Sequence, residues 1–201
     1  MSSDTVRPTP PTQAWPSLRT PAKPMAFDSG EFASGAARAL AVHLALFVIL
    51  SELASLVMGM VHDGPSIEVF FSALGGSIGL VLFVGAYAVP FSLIATVIGI
   101  LPALLLGRAL VRVRTFRTHL LAWCVFGTVF SGAVSLATSH LLFRDQISLM
   151  SAFLVTGFLA GSAAIPLGWA RTASIALRAD RGLKTPAWFR RRRRIPATAS
   201  R

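Results

Sequence analysis

Glu52, in the stretch VILSELASL, is the only carboxylate between Ala36 and Val61, the first long apolar run of the chain. A charged carboxylate near the middle of a bilayer costs about 2.5–3.5 kcal/mol on insertion scales, and each Leu, Ile, Phe or Val returns about 0.3–0.6 kcal/mol. Leu44, Leu46, Phe47, Val48, Ile49 and Leu50 precede it, so the segment can insert regardless. Helical spacing puts Glu52 on one face with Ala41, Ala45, Ser55 and Gly59, a strip of small residues suited to helix contact. Two roles fit a carboxylate so placed. It is an ion or proton site, relaying a proton or cation or opposing a substrate's charge, or it is a hydrogen-bonded group that fixes helix packing. His43 lies nine residues away and about half a turn out of phase, so the two do not form a dyad on one helix. His43 is expected to hydrogen-bond locally or to reach toward the membrane surface.

Other polar residues gather in two short segments, His62, Asp63 and Glu68 in one and His140, Arg144 and Asp145 in the other. Imidazole and carboxylate are zinc ligands, but no His-Glu-x-x-His or comparable spacing joins these residues, and they are read as solvated loop groups with no metal. No phosphate-binding G-x-x-x-x-G-K-[ST] run and no G-x-S-x-G nucleophile elbow occurs. GGSIGL (Gly75 to Leu80) is glycine-rich, yet it has neither a preceding strand nor a lysine to meet a phosphate. The sequence therefore predicts no catalytic residue, no cofactor and a non-enzymatic protein.

Small residues recur at helix-face spacing: Gly75 and Gly79; Gly127, Ser131 and Ser135; Gly157, Gly161, Ala164 and Gly168. Lipid tails are as apolar as leucine, so helices associate in a membrane through close backbone approach, which small faces permit. These residues are expected to pack helices, either within the chain or between copies or subunits. Near the C-terminus, Trp188 and Phe189 precede Arg190, Arg191, Arg192, Arg193 and Arg194. Each basic group near anionic lipid is worth about 1 kcal/mol, and the two aromatics suit the headgroup layer. This segment is expected to dock on anionic lipid headgroups; a solvated tail whose charge sets topology is the next reading, and nucleic acid the weakest, since the basic residues flank apolar spans.

These residues need elements to hold them, and composition says which. Of 201 residues 54% are hydrophobic and 13% charged, about half the charged share of a soluble domain. Uncharged or nearly uncharged stretches of transmembrane length separate the charges, and the fold class is all-α, a polytopic integral membrane protein built as a four-helix transmembrane bundle. The lone cysteine, Cys124, allows no disulfide within the chain. Residues 1–35, holding six of the twelve prolines, are expected to be a disordered cytoplasmic tail. Apolar sequence starts too late and runs too long for a secretory signal peptide. The transmembrane domain covers 36–170, with spans at 36–61, 77–106, 120–142 and 147–170, and 171–201 form a basic cytoplasmic tail.

The number of crossings turns on the apolar run from Phe70 to Gly107, interrupted by Pro90. One crossing gives four spans with both termini inside, placing 18 basic residues on the cytoplasmic side and only Arg144 outside. Two crossings, hinged at Ala86–Pro90, give five spans with the N-terminus outside and a weaker split of 14 to 5. The first is preferred: Pro90 bends the run without reversing it, and 67–76 break off at Gly75-Gly76 as an interfacial or re-entrant piece. The expected role is that of an accessory, structural or regulatory component of the cytoplasmic membrane. The alternative is a small transporter or channel using Glu52.

Overall fold

The computed structural model describes residues 19–142, 147–181 and 183. Five helices follow one another, α1 (Ser29–Asp63), α2 (Ile67–Phe83), α3 (Val89–Leu110), α4 (Phe116–Leu142) and α5 (Ile147–Asp180). A π-helical stretch, Val84–Ala88, joins α2 to α3, and no strand occurs among the described residues. Among the described residues, four segments are long and apolar enough to cross a membrane: Ser29–Asp63, Ala86–Leu110, Phe116–His140 and Phe153–Asp180. The all-helical architecture is that expected of a multi-pass membrane protein.

α1 starts seven residues before the expected Ala36 because Asp28 caps it. The Asp28 carboxylate accepts a 2.6 Å hydrogen bond from the backbone N–H of Glu31, satisfying an orphan donor at the positive end of the helix. Gly64, with φ +79°, ends α1 in a conformation that L side chains rarely adopt. Ser66 Oγ then accepts from the N–H of Val69 at 3.2 Å and opens α2. The expected break at Gly75-Gly76 does not occur, since α2 runs through both glycines. Helix continues there despite two weak helix formers, within a segment whose other residues are almost all apolar.

The irregularity lies instead at Pro90. Its ring removes one N–H and crowds the carbonyl four residues back, Ala86, and the chain answers by widening into a π turn over Val84–Ala88. The path bends there without reversing. At one end of α1, Gly59 packs on Val69 of α2; at the other, Phe27 packs on Gly107 of α3. Both α2 and α3 therefore run antiparallel to α1 as one bent rod, whose parts of 17, 5 and 22 residues outrun the 35 residues of α1.

The bundle is held together on α5. Gly168 brings its backbone against Ala39, Gly157 meets the ring of Phe47, and Ser51 Oγ lies 3.4 Å from Thr156 Oγ1. Against α4, Gly127 admits the Ser162 carbonyl oxygen, the acceptor that Pro166 leaves without its helical N–H. Small residues fill this interior, with Ala160 at 0% and Ala164 at 1% exposure, and large apolar side chains such as Leu53 (53%) and Leu101 (66%) point outward. That arrangement inverts a water-soluble core and suits a lipid surround.

Candidate functional site

α3 makes only sparse contact with α1 and α4, whereas α5 packs tightly against both α1 and α4. The space behind the bent rod is a cavity of about 430 Å³, within the range of small-molecule sites. It is lined by Ala88 at the end of the π-helical stretch and by Ser92, Ala95, Thr96, Gly99 and Ala103 of α3, a small-residue face at helical spacing. α4 contributes Trp123, Phe130, Ser131 and Thr138, and α1 contributes Ala39, His43 and Phe47. Gly157, Gly161 and Ala164 of α5 form the wall between them.

One end of the cavity is closed by residues before α1. Met25 is buried, Phe27 stacks on Phe32 with ring centroids 6.0 Å apart and packs on Gly107, and the N–H of Met25 donates to the Val111 carbonyl at 3.4 Å. Arg19 donates to Glu31 Oε2 at 2.7 Å and to Asp180 Oδ2 at 2.8 Å, tying the starts of the segment and of α1 to the end of α5. Burial opposes the charge on Arg19, but Glu31 and then Asp180 outweigh it and hold the guanidinium pKa above its usual value. Residues 19–28 thus form a strap; of the tail expected to be disordered over 1–35, residues 1–18 lie outside the described residues and 29–35 belong to α1. Because Arg19 meets Asp180, both ends of the described chain lie on the same face of the bundle, called here the terminal face.

Beside the strap, an aromatic ladder seals α4 to α5. Trp169 stacks on His119 (5.3 Å between centroids, 7° between planes) and on Trp123 (5.9 Å, 24°), with Phe116 at 5.4 Å. His119 Nε2 lies 3.1 Å from the Val113 carbonyl oxygen, so the connector between α3 and α4 is fastened to the same ladder. Trp123 is 5% exposed, and its indole N–H has no hydrogen-bond partner among the described residues.

Glu52 stands outside the cavity, half-buried on α1. Of its small-residue strip, Ala41, Ala45 and Ser55 are exposed, and only Gly59 meets another helix. His43 lines the cavity, its Nδ1 flanking Gly161 together with Ser131 Oγ. Gly127, Gly157, Gly161 and Gly168 all occupy contacts between helices, but no described atom approaches within 4 Å of where a Cβ on Gly75 or Gly79 would sit. His62, Asp63, Glu68 and His140 are exposed, and no cluster able to hold a metal occurs among the described residues. Arg144 and Asp145, and the segment from Trp188 and Phe189 through Arg190 to Arg194, lie outside the described residues.

The sequence reading passed over Trp123, the α3 face and Arg19. Ser92, Thr96, Gly99 and Ala103 do show small-residue spacing, a signal masked by the uniformly apolar run around them. No protein-family model, curated protein or solved structure matches the chain.

Proposed function

We propose that the protein is a non-enzymatic, multi-pass component of the cell membrane that self-associates through α2 and serves as an accessory or structural element in the bilayer. The contrast among its glycines carries this reading. Those of α3, α4 and α5 are taken up by contacts inside the chain, while Gly75 and Gly79, one helical turn apart, meet no described atom. A Gly-x-x-x-Gly face is self-complementary, so a second copy can present the same strip across a two-fold axis. The arginines of the 108–117 connector and of 171–201 support a cytoplasmic terminal face, and Trp188–Arg194 would then rest on anionic lipid. The alternative of a transporter or channel built on Glu52 draws no support from a cavity that excludes that residue.

Oxidative cross-linking in native membranes tests the proposal. In a Cys124→Ser background, Gly79→Cys is expected to give a disulfide-linked dimer and Leu101→Cys, on the outward side of α3, none. Adding Gly75→Ile to the Gly79→Cys chain is expected to abolish the dimer. No cross-link at position 79, or an equal one at 101, would overturn the reading.

A further inference from the structure

We propose that the rim of the terminal face binds anionic phospholipids, with Arg108, Arg117 and Arg171 each taking a lipid phosphate at the end of a helix face that carries the acyl chains. Three helices repeat one pattern. On α3 the exposed side chains of Leu101 and Leu105 are followed by exposed Arg108. On α4 exposed Arg117 precedes exposed Leu121 and Val125, and on α5 exposed Leu159 and Leu167 lead to exposed Arg171. Steps of three, four or eight residues keep each set on one side of its helix. The three arginines also lie near one level. Gly99 of α3 meets Phe130 of α4, and Gly127 of α4 meets Ile165 of α5. Counting along the antiparallel neighbours from those contacts places Arg108 and Arg171 level with Leu121, about 6 Å from Arg117 at the helical rise.

Charge selects the headgroup. Every described lysine and arginine lies toward this face, and the opposite end carries His62, Asp63, Glu68 and His140. The carboxylates nearest the rim are committed: Asp28 caps α1, and Glu31 and Asp180 hold Arg19. Among the described residues no carboxylate pairs with Arg108, Arg117 or Arg171, so their counter-charge comes from elsewhere. Guanidinium meets phosphate oxygens through a planar fork of donors. Choline or ethanolamine would set a second cation against Arg112, Arg114 and Arg178, which are also exposed, whereas phosphatidylglycerol brings none. A nucleic acid or acidic protein arriving from water would meet the end of the bundle. These arginines instead stand on its sides, in line with the apolar faces, where a lipid offers phosphate and hydrocarbon together.

The assignment rests on the reading of the chain as membrane-spanning and not on self-association through α2, so a failed cross-link at position 79 and a failed lipid preference are separate results. The test uses the full chain in phosphatidylcholine vesicles holding a trace of acyl-chain spin-labelled phosphatidylglycerol or phosphatidylcholine. The motionally restricted fraction of each label gives its relative affinity for the protein. The unaltered chain should favour phosphatidylglycerol by roughly two- to fivefold. Arg108→Gln, Arg117→Gln and Arg171→Gln in one chain should abolish that preference, and lysine at the same three positions should retain it. Glutamine in place of Arg190 to Arg194 should leave most of it. Equal affinity for the two lipids in the unaltered chain would overturn the assignment. So would a preference that survives the glutamine triple, one lost equally with lysine, or one carried by Arg190 to Arg194 alone. Displacement of the labelled lipid by soluble glycerol phosphate would also overturn it, by showing a site for free phosphate.

Discussion

Gly168 is the residue on which the bundle closes. A Cβ built there would lie 2.7–2.8 Å from the backbone N, Cα and Cβ of Ala39, and backbone atoms cannot step aside as a flexible side chain can. Gly168→Ala should therefore force α1 and α5 apart and destabilise the protein by about 1–3 kcal/mol, the usual cost of overpacking. Gly76→Ala, whose Cβ would meet no described atom, should not destabilise and should gain up to about 1 kcal/mol of helix propensity. Denaturant unfolding of the detergent-solubilised chain measures both, and equal stabilities would refute the close approach. A small-residue spacing told which glycines share a helix face, because that follows from 3.6 residues per turn. It did not tell which faces are used inside the chain, since Gly75-x-x-x-Gly79 and Gly157-x-x-x-Gly161 have the same form in one dimension. Glu52 drew notice as a lone carboxylate among apolar neighbours, but its place outside the cavity depends on which side of α1 meets α5. That is decided by Ser51 and Phe47, residues on the neighbouring side of the same turns.

At the scale of elements, the strap over residues 19–28 and the bent rod of α2 and α3 close the cavity between them. Phe27 is the wedge, half-buried on Gly107 and Phe32. Phe27→Ala should remove about 1–2 kcal/mol of apolar contact at the terminal face. Backbone amides of 20–28 and 105–111 should then exchange hydrogen faster, with the Gly157–Gly168 region unchanged. Protection that stays the same in both segments would show that the strap is not held by this contact. The sequence hid the strap behind its prolines. Pro21 and Pro24 forbid regular helix, yet they leave a short turn in which Lys23 N–H donates to the Thr20 carbonyl at 2.9 Å and aims Met25 and Phe27 inward. The bend at Pro90 was legible because proline removes a hydrogen bond wherever it falls. Its form, a π turn in place of a break at Gly75-Gly76, was not, since a pair of weak helix formers does not by itself say whether the helix ends or runs through.

For the whole molecule, everything depends on how many times the chain passes through the bilayer. The arginine distribution favoured one passage for the run around Pro90, and the packing of Val69 on Gly59 and Phe27 on Gly107 puts both halves of that run in one direction. Four segments able to cross a membrane, with both ends of the described chain on the terminal face, follow from that geometry together with the Arg19–Asp180 pair. The most direct measurement is side-specific labelling of single cysteines in a Cys124→Ser chain, using a membrane-impermeant maleimide on intact cells and on inverted vesicles. Ser66→Cys in the turn between α1 and α2 should label from one side. Thr115→Cys between α3 and α4, and Thr20→Cys in the strap, should label only from the other. Labelling of positions 66 and 115 from the same side would mean that the run reverses within the membrane, and would contradict the four-passage bundle.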